Sequence, residues 1–179
     1  MQKMHHHTFL LEGKASYFSP TDAKVRKIYT QGTGLYGIES SVQAWRWLYP
    51  WISGSILSVN GHSEHFHHRT NAILVPLGAG LKFLHNFTHA NIYLGLGALY
   101  SYLHMHDHSH YVISSSSQWT WGGIAKLGIC VFPTNALFID FFADYSYMKF
   151  PFHDGHGKVY RSDVNFSGWS SGAGIGFAI

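Results

Sequence analysis

Histidine supplies 15 of the 179 residues, and most of it falls in three short segments: Gly61-His62-Ser63-Glu64-His65-Phe66-His67-His68, His104-Met105-His106-Asp107-His108-Ser109-His110 and His153-Asp154-Gly155-His156. Neutral imidazole is a good ligand for Zn, Cu or Ni, and in an extended chain His104, His106, His108 and His110 would line up on one side. The candidate metal ligands are therefore His62, His65, His67, His68, His104, His106, His108 and His110. The plainer reading is a set of polar loops that gain charge below about pH 6.5. Because the spacing defines no ligand geometry, the expectation is no resident cofactor, with Zn, Cu or Ni in the loops as the alternative. Serines near these histidines, Ser63 between His62 and His65 and Ser114 to Ser117 after His110, could supply a nucleophile and its base. Ser and His are simply common in these segments, and no catalytic residue is assigned.

A second set of polar residues sits inside apolar stretches: Glu12, Lys14, Glu39, Lys82, Lys126, Asp140 and Asp144. Counting by twos explains where they fall. Ile73, Val75, Leu77, Ala79, Leu81 and Phe83 alternate with Ala72, Leu74, Pro76, Gly78, Gly80 and Lys82. Ile92 to Tyr102, Trp119 to Val131, Leu137 to Tyr147 and Phe9 to Tyr17 alternate in the same way. Period two means strands. Weaker stretches at Leu35 to Trp45, Trp51 to Asn60 (facing unassigned) and Trp169 to Ile179 bring the expected number to eight. Each of the seven charges lies on the parity opposite its strand's apolar row.

The connections alternate in length. Long polar segments, Ser19 to Gly34, Gly61 to Arg69, His104 to Ser117 and Pro151 to Asp163, follow the odd strands. Short ones, Arg46 to Pro50, Leu84 to His89 and Phe132 to Asn135, follow the even strands. An even set of long strands joined this way predicts an all-β, eight-stranded antiparallel up-and-down transmembrane barrel, with long outer loops and short periplasmic turns. Residues 1–7 are read as a flexible N-terminus, processed or tagged, and residues 8–179 as one barrel domain.

The aromatics fit this topology. Tyr17, Tyr100, Tyr102, Trp119, Trp121, Tyr145, Tyr147 and Trp169 are expected at the long-loop end. Trp45, Trp47, Tyr49, Trp51, Phe83, Phe132 and Phe177 are expected at the other, as two belts flanking a lipid-facing band. Only 12% of residues are Asp, Glu, Lys or Arg, about half the usual share, while mean hydropathy is −0.04. A soluble barrel with the apolar row inside would leave an outer face of Gly, Ser and Thr with little charge to keep it dissolved. A helical membrane protein would need about 18 uninterrupted apolar residues. The best runs, Ala72 to Phe83 and Asn91 to Met105, are shorter and broken by Gly, Pro, Lys or His. A net charge of +3 with no like-charge run beyond Arg26-Lys27 excludes nucleic acid as a partner, and the single Cys130 excludes an internal disulfide.

Seven charges sharing one narrow lumen must pair. With the turn between the sixth and seventh strands centred near Thr134, Lys126 falls opposite Phe142, so a contact from Lys126 to Asp140 or Asp144 is predicted. Such a network is expected to fix register and fill the lumen.

Three stretches also carry a resemblance: Ala15-Ser16-Tyr17-Phe18-Ser19-Pro20-Thr21-Asp22 leading to Lys27-Ile28-Tyr29, Val75-Pro76-Leu77-Gly78-Ala79-Gly80-Leu81-Lys82-Phe83, and Ile92-Tyr93-Leu94-Gly95-Leu96-Gly97-Ala98-Leu99-Tyr100. With these the chain resembles the small outer-membrane barrels of Gram-negative bacteria, in particular the outer-membrane protein W group, over nearly its whole length. The final Gly172 to Ile179 is similar to the C-terminal signal read by the barrel-insertion machinery, but ends on Ile179 with Phe177 two residues earlier. The resemblance implies an outer-membrane location, lipid and lipopolysaccharide as surroundings, a monomer, and binding or passage of a small hydrophobic ligand or surface adhesion through the loops. Some eight-stranded outer-membrane barrels act on lipid A, but the deacylase pattern His-x-Ser-Asn is absent here, and no enzyme is expected. No site motif of the group matches position by position, so no functional residue is carried over.

Overall fold

A computed structural model describes residues 8–28, 33–62, 69–87, 90–107, 115–151 and 164–179. Its strands are β1 (Phe9–Pro20), β2 (Thr33–Val42), β3 (Leu48–His62), β4 (Arg69–Asn86), β5 (Ala90–Asp107), β6 (Ser115–Val131), β7 (Leu137–Phe150), β8 (Val164–Asn165) and β9 (Gly168–Ala178). Eight of these form an antiparallel ring in which each pairs with its neighbours in sequence and β9 closes on β1. The two-residue β8 adds only an extension to the end of β7. At the seam, the backbone N–H groups of Thr8 and Phe9 both donate to the carbonyl of Ile179. Each of the eight ring strands is thus paired along most of its length on both sides, which is the condition for a sheet to sit in hydrocarbon.

Register sets the barrel's shape. Following paired residues around the ring from Leu10 through Ser41, Trp51, Gly80, Gly97, Ile124, Ser146 and Gly168 returns to β1 at Pro20, ten residues further along. With about 3.3 Å per residue and 4.8 Å between strands, a stagger of ten over eight strands tilts them by about 40°. An even stagger also keeps parity consistent around the ring, so one residue set faces in everywhere.

That set is the one carrying the charges. Glu12, Glu39, Lys82, Lys126, Asp140 and Asp144 are buried, while the alternate positions Leu11, Ile38, Ile52, Leu77, Leu96, Leu127, Phe141 and Ile175 are exposed. Exposing apolar side chains on every strand while burying charge is tolerable only where the outside is lipid.

Three sequence expectations change. Tyr49 and Trp51 point inward, at 4% and 2% exposure, and Phe132 packs against the inner cluster beside Phe138, so none of them belongs to the outer belt. The short-turn belt consists of Trp45, Trp47, Phe83, Phe87 and Phe177, with Trp47 stacked on Phe83. The β6–β7 hairpin centres on Asn135, one residue later than expected, which moves the pairing by two and sets Lys126 against Asp144. Finally, the segment after β1 contains a helix, α1 (Ala23–Ile28), started by Asp22, whose Oδ1 accepts from the Val25 amide. Val25 is buried in the lumenal core, so α1 covers the barrel's upper end, and Thr21 ties it there by donating to the Ser167 carbonyl.

Candidate functional site

The lumen is built in layers. Toward the short turns, Leu10, Tyr49, Leu84, Tyr93, Cys130, Phe138, Phe142 and Ala178 pack together. Toward the long-loop end, Phe18, Val25, Leu57, Leu74, Leu99, Leu103, Met148, Phe150 and Phe166 form a second apolar cluster. Glycines make room for the largest inward rings. A Cβ on Gly128 would lie 2.5 Å from the Tyr93 ring, and one on Gly97 would lie 2.5 Å from Trp51.

Between the clusters lies a network of all seven charges. Lys126 Nζ donates to Glu39 Oε2 at 2.6 Å and to Asp144 Oδ2 at 3.3 Å. Lys82 pairs with Glu39 and stands 3.4 Å from Glu12 Oε1. Lys14 Nζ is 3.3 Å from Asp140 Oδ2, 3.6 Å from Glu12 and 3.7 Å from Glu39. Asp140 also accepts from the Tyr93 hydroxyl at 2.8 Å. Each lysine caps an aromatic face as well: Lys14 over Phe142 at 4.0 Å, Lys82 over Tyr93 at 4.5 Å and Lys126 over Trp51 at 4.4 Å. Desolvated cation–π contacts of this kind contribute up to about 2 kcal/mol. Together, carboxylate and ring make buried ammonium groups tolerable.

Above this network is a cavity of about 50 Å³. Lys14, Glu39, Lys126 and Asp144 line its polar side, joined by the hydroxyls of Ser16, Ser53, Ser55, Ser146 and Ser170; Phe18, Leu35, Leu57, Leu74, Leu99, Ile124 and Met148 line the rest. Pro76 lines it too. At Pro76 the β3–β4 register is interrupted, running to Gly54↔Leu77 and resuming at Leu57↔Leu74. Proline has no N–H to give to a ladder, and it is a rare residue inside a strand for that reason.

Of the eight histidine candidates, the described residues include only His62, His104 and His106. His62 and His106 lie in the upper ends of β3 and β5, and the His104 ring Nδ1 is 2.8 Å from Ser117 Oγ. His65, His67, His68, His108 and His110 fall outside the described residues, as do Ser63 and Ser114. Among the described residues no group of three or more His, Cys, Asp or Glu is placed to hold a metal. Trp51, Tyr93, Pro76 and the apolar lumenal residues escaped the sequence reading. Their signals were an apolar run on the inner parity and a proline in mid-strand.

Comparison with solved structures places this architecture. Neisserial surface protein A superposes with a TM-score of 0.71 at 15% identity, over 96% of this chain and 97% of that one. The chain has the fold of the small outer-membrane β-barrels. Outer membrane protein OprG from Pseudomonas aeruginosa follows with a TM-score of 0.69, 14% identity and coverage of 97% and 96%. Outer Membrane Protein W of E. coli gives 0.62 at 12% identity, with coverage of 98% and 100%. No family model matches the chain, and no curated protein sequence is similar to it. At these identities the fold is shared and function has to be argued from the lumen.

Proposed function

We propose that this chain resides in a bacterial outer membrane and takes small apolar molecules from the lipid into its lumenal cavity, with both termini on the periplasmic side and the long loops outside. One observation carries the reading: a cavity with a broad apolar side lies at the height where Pro76 interrupts the β3–β4 ladder. Above it, Phe18, Val25, Phe150 and Phe166 pack across the lumen. Below it, Trp51, Tyr93 and Phe138 are fully buried beside the ion network. A molecule of low polarity therefore has a shorter way in through the wall than along the axis. The outward aromatic belts suit lipid and lipopolysaccharide as surroundings, and the outward row Ile175, Phe177 and Ile179 presents the apolar alternation that insertion machinery reads.

Uptake of N-phenyl-1-naphthylamine by cells expressing the protein tests this. Expression is expected to raise the uptake rate several-fold. Leu99→Trp, which fills the cavity, and Pro76→Ala, which lets the ladder close, should return it to background while both variants keep the heat-modifiable migration of a folded barrel. Unchanged uptake in both folded variants contradicts the reading.

A further inference from the structure

Among the described residues, the lumenal network is short of one positive charge. Glu12, Glu39, Asp140 and Asp144 face Lys14, Lys82 and Lys126, and all seven are buried or nearly so. Among the described side chains no further cation joins them: Arg26, Arg46, His85 and Lys149 are exposed, and the His104 ring lies against Ser117. With every group ionised the interior carries a net charge of −1, and an uncompensated buried charge is costly.

The shortfall is felt most at Asp144. It shares Lys126 with Glu39, which holds the shorter bond, at 2.6 Å against 3.3 Å. Its second oxygen, Oδ1, is buried and accepts no hydrogen bond, and the residue is only 4% exposed. Glu12 Oε2, Glu39 Oε1 and Lys14 Nζ also lack a hydrogen bond, but Glu12 does not line the cavity, Lys14 stands within 3.7 Å of three carboxylates and Glu39 Oε1 is paired with Lys82, whereas Asp144 Oδ1 lines the cavity with no cation beside it. Ser146 lies two residues along β7 from Asp144 and Ser170 is paired with it on β9, and Phe18, Leu57, Leu99 and Met148 line the same cavity.

Resting on the reading of this cavity as a binding site, we infer that its ligand is a small primary amine with an alkyl tail. The ammonium sits against Asp144 Oδ1 and the tail among Phe18, Leu57, Leu99 and Met148. A protonated amine brings the missing unit of charge and three N–H donors, enough for the carboxylate and a flanking serine. An alcohol of the same length would satisfy one hydrogen bond and leave the charge uncompensated. A carboxylate would add to the deficit. Specificity thus comes from groups already buried and unpaired before the ligand arrives.

The test uses the full chain in lipid nanodiscs with 13C-methyl methionine. Met148 lines the cavity, its sulfur 3.1 Å from the Ser101 hydroxyl, so its methyl resonance reports occupancy. n-Propylamine, n-propanol and propionate, small enough for this cavity, are titrated at pH 7.5. The amine is expected to shift the Met148 signal saturably at a concentration at least about tenfold below the alcohol, corresponding to about 1.4 kcal/mol, with propionate silent. In Asp144→Asn, whose network has equal numbers of acids and bases, amine and alcohol should titrate alike, while Asp144→Glu keeps the preference. Equal titration of amine and alcohol in the native protein would overturn the inference and leave the apolar-ligand reading standing. Silence from amine and alcohol alike would remove both. Infrared spectroscopy of the native protein gives an independent check that needs no variant. A protonated-carboxyl band persisting at saturating propylamine would show that a proton, not the amine, balances the network, and would overturn the proposal.

Discussion

Lys14, Lys82 and Lys126 each occupy a niche made of a carboxylate and an aromatic face, and removing one of them leaves charge behind rather than a neutral gap. Lys82→Met strips both Glu12 and Glu39 of a partner, so a loss of about 3–5 kcal/mol is expected in urea unfolding from vesicles. Lys149→Met, an exposed residue over Tyr147, should change stability by less than about 0.5 kcal/mol. Glycine positions divide in the same way. Gly128→Ala would press a methyl group into the Tyr93 ring and should cost about 1–3 kcal/mol, whereas a Cβ at Gly13 meets nothing within 4 Å and Gly13→Ala should be neutral or mildly stabilising. The positions of the seven charges were legible because a charge in an apolar row stands out. Trp51 and Tyr93 were not, since an aromatic residue suits a lipid belt and a packed lumen equally well.

At the scale of the element, strands with a polar inner row could be read directly and β3 could not. Its inward residues, Trp51, Ser53, Ser55 and Leu57, and its outward ones, Ile52, Gly54 and Ile56, each mix apolar with small or polar types, so no period-two contrast survives. The inner row is mixed because the lumen itself has apolar layers above and below its charges. The β6–β7 register shifted by two because a turn's centre depends on local bonds such as Leu137 N–H to Thr134 Oγ1, which alternation does not encode. Pro76 is the element-scale feature with functional weight. Amide exchange at Ser55 and Ile56 is expected to be faster than at Ile52 to Gly54, where the ladder with β4 is continuous. Pro76→Ala should slow it by restoring a donor. Equal exchange along all of β3 in the native protein would show that the break is closed in the membrane.

For the whole molecule, closure, tilt and facing form one claim: a ring of eight strands with a ten-residue stagger, apolar outside and charged within. Its outward mid-height residues should tolerate charge poorly. Leu96→Arg on the exposed face of β5 is expected to cost about 2–4 kcal/mol at the bilayer midplane, read from folding into vesicles. The most direct measurement of the claim is a nitroxide scan of β5 from Ile92 to Tyr102 in a Cys130→Ala background, comparing relaxation by oxygen, which concentrates in lipid, with relaxation by a water-soluble nickel chelate. The structure predicts a strict alternation: oxygen reaches labels at residues 92, 94, 96, 98, 100 and 102, while labels at 93, 95, 97, 99 and 101 are shielded from both reagents. High nickel accessibility at the even positions, or no alternation at all, would contradict it.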